Sequence, residues 1–456
     1  MKYHIQTFGC QMNVYDTKSM MGLLNGAGHE YTDNLAEAEM ILLNTCSIRE
    51  GAEQRVRGRI GQLKRYKDKG RLRFLGVCGC MGQKEGARLT DAVPYLDLVI
   101  GPGAIGSIAR LVEELERGKR PLVDITGIED EYDQPFPAPN EAVSYPCFVS
   151  VMKGCNKKCT FCVVPSTRGP ERSRDPRIIL QEVETLVQKG YKEITLIGQT
   201  INSYRYDGIR FPQLLERVNQ IPGLARLRFT TSYPSTSIRA LFEVMASLDK
   251  VCEQLHLPVQ SGSNRILKAM RRTYTREEYL NQVRYFRSLY EGRALPPAIT
   301  TDIIVGFPGE TEEDFQQTLD LVREVRFDAA FMFKYSPRPG TVAAAMNNQV
   351  DEYTKSRRLD TLLQLQHEIA GEMNRNLTGS RVEVMIERST PSSQGGMEYE
   401  SRMRTGRIVK LSAPAGAYSP GDLVQVLLTG CTSYTLFGDP LSSGESTQGG
   451  LKIHVA

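Results

Sequence analysis

Short apolar runs alternate with helix-patterned segments twice along this chain, and that repeated alternation is the tightest constraint on its fold. Strand patterns at Tyr3–Phe8, Met40–Asn44, Leu72–Val77 and Leu98–Ile100 are separated by helical ones at Val14–Leu24, Arg49–Lys69 and Ile105–Arg117. Strand–helix alternation at this pitch predicts a parallel sheet with helices on its faces over residues 1–126. Residues 127–144 lapse into acids and prolines (Pro135, Pro137, Pro139), the chemistry of a linker. A second alternation fills 145–376, with strands at Phe148–Met152, Glu193–Ile197, Arg226–Thr231, Gln254–Val259, Ile299–Val305 and Ala329–Tyr335. Helices at Ile178–Lys189, Arg276–Tyr290 and Glu312–Val325 lie between them, and another follows near Asp351–Asn376. Six such units predict a partial (β/α)6, TIM-like barrel whose strand-end loops carry function. In 377–441 the period changes to short β-rich runs (Arg381–Ile386, Gly406–Leu411, Leu423–Leu428) set off by Gly, Ser and Pro, which predicts a small antiparallel β-barrel. Residues 442–456 read as a tail, flexible over Ser442–Gly450. The fold class is therefore α/β, with three domains.

Composition narrows the setting. The 456 residues carry 57 Lys and Arg against 53 Asp and Glu, too slight an excess to argue by itself for a polyanionic partner. No run of apolar residues is long enough for a membrane helix, and the first residues lack the pattern of a secretory leader. A cytoplasmic protein with no membrane partner is expected, its ten cysteines kept reduced.

Cysteine spacing carries the chemistry. Cys155-Asn-Lys-Lys-Cys159-Thr-Phe-Cys162 places three thiols on one tight loop just after a strand. Iron–sulfur clusters take four cysteine ligands, so a triplet leaves one iron open to another molecule. A structural zinc loop with a distant fourth ligand is the alternative. Cys10, Cys46 and Cys80 each follow a strand of the first domain, and the carboxyl ends of parallel strands gather on one edge, where ligands bind. Three such thiols suggest a second cluster with an open iron; the alternative is three ordinary buried thiols. Cys78 is the competitor of Cys80, since residues two apart on a strand share a face. Cys147, Cys252 and Cys431 read as core thiols, and no histidine has metal-ligand spacing.

The triplet on a partial barrel resembles the radical S-adenosylmethionine (SAM) superfamily over about residues 145–370. In that family the open iron binds the amino and carboxylate groups of SAM. By this resemblance Cys155, Cys159 and Cys162 hold a [4Fe–4S] cluster, and Phe161 sits beside the adenine of SAM. The stretch Thr301-Asp-Ile-Ile-Val-Gly306 ends a strand and offers Ile304 and Gly306 to the same cofactor, although Glu310 falls one residue late for the usual pattern. Gln199 and Asn202, at the end of the second barrel strand, face a ligand or cap a loop. Arg168 contacts a carboxylate or phosphate, or is solvated.

With Thr7-Phe-Gly-Cys-Gln-Met-Asn13, Asn44-Thr-Cys46 and Cys78-Gly-Cys-Met81, the run Gly154–Gly169 resembles the methylthiotransferases over essentially the whole chain. That likeness implies an auxiliary [4Fe–4S] cluster on Cys10, Cys46 and Cys80, and a C-terminal TRAM barrel that grips substrate. Gln11-Met-Asn13, Leu257–Ser263 and Tyr335–Thr341 are similar to the branch acting on N6-isopentenyladenosine of tRNA, next to the anticodon at position 37, rather than to the branch modifying a ribosomal protein. The implied reaction uses two SAM and places a methylthio group at C2. Its partners are the tRNA anticodon stem-loop, a reductant electron-transfer protein and a sulfur donor of unspecified nature; a monomer is expected. Threonylcarbamoyl-adenosine in tRNA and a ribosomal-protein aspartate are the competing substrates, and a non-catalytic iron–sulfur RNA-binding module is the competitor of another class. RNA binding has a local basis in the basic stretch Arg49–Arg73, where Arg55, Arg57, Arg59, Lys64 and Arg65 belong to ten Lys and Arg set against three acids.

Overall fold

The computed structural model describes residues 1–46, 50–126, 143–392 and 395–441. The linker expected at 127–144 lies almost wholly outside the described residues, as does the tail expected at 442–456. No described helix is long and apolar enough to cross a membrane.

Six parallel strands form the first unit: β1 (Lys2–Phe8), β2 (Glu30–Tyr31), β3 (Met40–Thr45), β4 (Phe74–Gly79), β5 (Leu98–Ile100) and β6 (Leu122–Asp124), in the order β2-β1-β3-β4-β5-β6. The edge strands β2 and β6 are too short to show a period in sequence. Central β3 is buried along its whole length, because helices cover both faces. Met40 and Leu42 pack with Tyr3, Cys78 and Ile100 toward helices Gln11–Gly26 and Ile108–Glu116. Ile41 and Leu43 point the other way, onto Val56, Ile60 and Leu63 of helix Glu50–Asp68.

The second unit arranges β7 (Phe148–Ser150), β8 (Glu193–Ile197) and β9 (Arg226–Phe229) in the order β9-β8-β7, and β10 (Gln254–His256), β11 (Ala298–Val305) and β12 (Ala329–Lys334) in sequence order. All these pairings are parallel, and a single bridge, Leu227 to Val251, joins the halves into one arc. Strand β10 stops well short of the expected Val259, since Pro258 has no N–H to give a ladder. Strand β9 ends before Thr231, whose φ of +68° turns the chain out of the sheet.

Strands β13 (Arg381–Pro391), β14 (Met397–Met403), β15 (Ile408–Ala413), β16 (Leu423–Cys431) and β17 (Thr435–Pro440) close a barrel in the order β13-β14-β15-β17-β16. Its one departure from the expected antiparallel pattern is the parallel pair β15–β17. Parity requires it: five strands in a ring cannot all alternate in direction. The barrel docks at the amino ends of the core strands. Arg226 donates to the Arg402 carbonyl at 2.8 Å and to the Glu383 carboxylate at 2.8 Å, and Arg228 donates to the carbonyls of Met403 and Arg404 at 2.7 and 2.8 Å. The opposite, carboxyl edge of the arc is left for the site.

Candidate functional site

At the carboxyl edge of the first sheet, Cys10, Cys46 and Cys80 come together. Cys10 is the N-cap of helix Gln11–Gly26, which starts three residues before its expected position because Asn13 turns its side chain back to accept from the Cys10 N–H at 3.3 Å. Asn13 also donates to Asn44 Oδ1 at 3.1 Å, and Asn44 donates to the Asn13 carbonyl at 2.8 Å, so the chain ahead of Cys46 is tied to the helix that begins at Cys10. Gly79, at φ +86°, swings the chain out of β4 and brings Cys80 round to the same edge.

The Cys46 thiol hydrogen-bonds with both Cys10 and Cys80. Those bonds pull Cys10 and Cys80 down, against their burial and with help from the Arg168 guanidinium, while the same contacts and burial push Cys46 up. Cys78 is not part of this group. It faces the apolar core with Tyr3, Met20 and Leu24, and burial raises it to about 12.

The second trio lies on the loop after β7. Cys155 accepts from the Lys157 N–H at 3.4 Å and contacts the Thr200 hydroxyl at 3.3 Å; Cys162 accepts from the Val164 N–H at 3.4 Å. Arg272 donates to Cys159 Sγ at 3.4 Å and to the Pro258 carbonyl at 3.1 Å. Burial raises Cys162 to about 12. The loop is anchored across the arc, since the Thr160 N–H donates to the Met270 carbonyl at 3.1 Å and the Thr160 carbonyl accepts from the Ala343 N–H at 2.9 Å.

Residues expected around a cofactor fall beside this loop. Phe161 and Ile304 pack on one apolar cluster with Phe307, whose ring lies 6.4 Å from that of Phe161. Gly306 donates its N–H to Glu310 at 2.6 Å, and Glu310 also accepts from Arg358 at 2.8 Å. The extra residue before Glu310 is thus taken up in the turn. Gln199 keeps a buried carbonyl oxygen without a hydrogen-bond partner. Asn202 spends its amide on the Tyr233 backbone, at 2.8 and 2.9 Å. Cys147 and Cys252 are buried thiols, as expected, and Cys431 lies against the small barrel's core.

The two carboxyl edges abut. Met12 and Tyr15 pack on Ile197 at the end of β8, and Asp16 pairs with Arg168 at 2.8 Å. Arg168 thus meets a carboxylate and is buried rather than solvated.

Of the basic residues, Arg55, Arg57, Lys64 and Arg65 are exposed on helix Glu50–Asp68, opposite its Val56–Ile60–Leu63 stripe. Arg59 is instead tied to Gln6 at 2.8 Å. Arg57 also borders a cleft of about 400 Å³ together with Lys84, Arg88 and Arg338.

Several residues went unread in the sequence. Asn13 and Asn44 stand inside the quoted cysteine motifs, where their amides were a usable signal. Arg272 and Thr200 had none, being brought to the loop by tertiary structure alone. Phe331, half exposed, and Phe333 lie on the arc's inner face, in register with Asp302 and Ile304.

The donors fit the group that each trio suggests. Four-iron clusters are held by thiolates with N–H donors on their sulfurs; Cys10 has the backbone N–H groups of Met12 and Asn13, and Cys155, Cys162 and Cys159 have those of Lys157, Val164 and the Arg272 side chain. Among the described residues no three His, Cys, Asp or Glu side chains are set as ligands of one metal ion.

Comparison with known proteins adds the family. The model of the radical SAM superfamily matches residues 149–322, and that of an uncharacterized protein family, UPF0004, matches residues 2–101. The chain is 44% identical over 443 residues to the tRNA-2-methylthio-N(6)-dimethylallyladenosine synthase of Thermoanaerobacter sp. (strain X514), covering 96% of this chain and 92% of that protein. It is 46% identical over 416 residues to the synthase of the same name from Caldicellulosiruptor saccharolyticus, covering 90% of this chain and 86% of that one. Among solved structures, the radical S-adenosylmethionine methyltransferase TsrM from Kitasatospora setae superposes with a TM-score of 0.53 at 14% identity, covering 86% of this chain and 81% of that chain, a likeness of fold. Identity at this level across nearly the full length goes well beyond a shared fold, and the chain belongs to the tRNA-2-methylthio-N(6)-dimethylallyladenosine synthase family of radical SAM proteins.

Proposed function

We propose that this protein places a methylthio group on C2 of N6-isopentenyladenosine at position 37 of cytoplasmic tRNA, with Cys155, Cys159 and Cys162 holding a radical [4Fe–4S] cluster and Cys10, Cys46 and Cys80 an auxiliary one. The observation that carries this reading is that the strand edges bearing the two cysteine trios abut, through Met12 and Tyr15 on Ile197 and the Asp16–Arg168 ion pair. When bound, an open-iron cluster with SAM supplies a primary carbon radical, which removes hydrogen from a carbon too weakly acidic for any side-chain base.

The chain's own residues bind and orient. Phe161 and Ile304 offer an apolar wall for an adenine ring, with the Gly306 turn held beneath by Glu310. The open carbonyl of Gln199, next to Thr200 and its Cys155 contact, suits the ammonium of SAM. Phe331 and Phe333 present rings on which an unstacked base can lie, as chemistry on a base requires. Exposed Arg55, Arg57, Lys64 and Arg65 suit the phosphates of the anticodon stem-loop, and the small barrel is read as a TRAM-like grip on unpaired nucleotides. An electron-transfer protein as reductant and a monomeric state complete the reading.

Nucleoside mass spectrometry after reaction with isopentenylated tRNA, SAM and reductant tests it. The 2-methylthio product with release of 5′-deoxyadenosine is expected. An untouched isopentenyladenosine peak beside consumed threonylcarbamoyl-adenosine or ribosomal protein overturns the substrate, and tight tRNA binding without 5′-deoxyadenosine overturns the enzyme.

A further inference from the structure

Arg168 keeps a hydrogen-bond donor in reserve. Its side chain is 2% exposed and that of its ion-pair partner Asp16 is 1% exposed. The pair is made through Nη2; the other terminal nitrogen, Nη1, is buried and has no hydrogen-bond partner. A buried donor left without an acceptor is costly, and native proteins keep few of them. Helix Val164–Arg168 packs against helix Cys80–Glu85, and the guanidinium lies within electrostatic reach of both Cys10 and Cys80. Asp16 takes only Nη2, at 2.8 Å, and leaves Nη1 for another acceptor.

The acceptor that fits is anionic, compact and soft. A carboxylate is already present in Asp16 and is used by the other nitrogen. Hydrosulfide and methylthiolate carry one diffuse negative charge, which a weakly hydrated guanidinium matches better than an ammonium does. We propose that Arg168 Nη1 donates a hydrogen bond to the transferable sulfur, a hydrosulfide or methylthiolate anion held at the site of Cys10, Cys46 and Cys80, and so sets its affinity and orientation. The inference rests on the reading that these three cysteines hold an auxiliary cluster.

The test is a titration with sodium hydrosulfide, followed by electron paramagnetic resonance, of the full-length C155A protein loaded with iron, in which only the auxiliary cluster remains. Arg168→Gln weakens hydrosulfide binding about tenfold or more, the scale of one charge-assisted hydrogen bond, and Arg168→Lys recovers part of it. Asp16→Asn breaks the same ion pair between the two units but keeps the guanidinium, so its binding is equal or tighter. A residue that merely staples the units together predicts that Arg168→Gln and Asp16→Asn lose affinity alike, and that result overturns the inference, as does unchanged affinity in Arg168→Gln. Should Arg168→Gln fail to take up iron, Arg168→Lys against Asp16→Asn decides: a loss in the first alone supports the inference, and equal behaviour overturns it. C155A protein that holds no iron brings down the auxiliary-cluster reading and this inference together, whereas iron present with affinity insensitive to Arg168 brings down the inference alone.

Discussion

Replacing Gly79 by alanine is the sharpest perturbation of the first cysteine trio that leaves every sulfur in place. Gly79 has φ +86° and ψ −155°, a region open essentially to glycine. A Cβ there would stand 2.4 Å from Asn44 Oδ1 and 2.7 Å from the Thr45 carbonyl oxygen. The amide can move, but the carbonyl belongs to β3, paired in register with Gly79 one residue before Cys46. Backbone strain of about 1–3 kcal/mol and overpacking of about 1–3 kcal/mol combine to roughly 4 kcal/mol. Because the clash sits between Cys46 and Cys80, the expected relief is a shift of one relative to the other. Gly79→Ala should therefore lose about half its iron after anaerobic reconstitution, and its free energy of unfolding in urea should fall by the amount just worked out. Gly58→Ala is the control. It is an exposed position of helix Glu50–Asp68 with nothing within 4 Å of the added Cβ, so it should stabilise by about 1 kcal/mol and leave iron unchanged. A Gly79→Ala protein with wild-type iron and stability within about 1 kcal/mol of wild type would falsify the claim that this turn aims Cys80.

Cys80→Ala should keep SAM cleavage but lose methylthiolation, read as 5′-deoxyadenosine against modified nucleoside, whereas Cys78→Ala should cost only core packing, about 1 kcal/mol in a chemical melt. Glu310 is raised to about 7, first by burial, against the Gly306 N–H and Arg358 that favour its charge. An acid raised above its unfolded value adds stability at low pH that fades as pH climbs from about 4.5 through 7, so wild type should lose roughly 2–3 kcal/mol relative to Glu310→Gln across that window. Parallel stability–pH curves for the two proteins would contradict this. Neutralising Lys64 and Arg65 together should weaken tRNA binding and lower the slope of log K against log salt by about 1–2; an unchanged slope would remove that helix from the RNA interface.

Periodicity was enough to read the two parallel α/β units and the small barrel, because long buried strands such as β3 and β11 and the capped helix Glu312–Val325 state their type locally. Short edge strands were illegible: Glu30–Tyr31 and Leu122–Asp124 owe their place to neighbours rather than to pattern. The grouping of Cys10 and Cys46 was legible through spacing after strands, and the turn at Gly79 places Cys80 rather than Cys78 beside Cys46, a geometry that strand periodicity left open. Residues that work through tertiary contact were not legible. Arg272 reaches Cys159 from 113 positions away, and Asp16 meets Arg168 across 152. A single sequence gives no pattern from which such pairings can be read.

Arg226 and Arg228 hold the small barrel chiefly by main-chain oxygens, those of Arg402, Met403 and Arg404. Every residue type carries such an oxygen, so that part of the latch is indifferent to which side chains the gripped loop bears. Side chains of the gripped loop that make no other tie to the core can therefore change without loosening the barrel from its berth at the amino ends of the arc's strands.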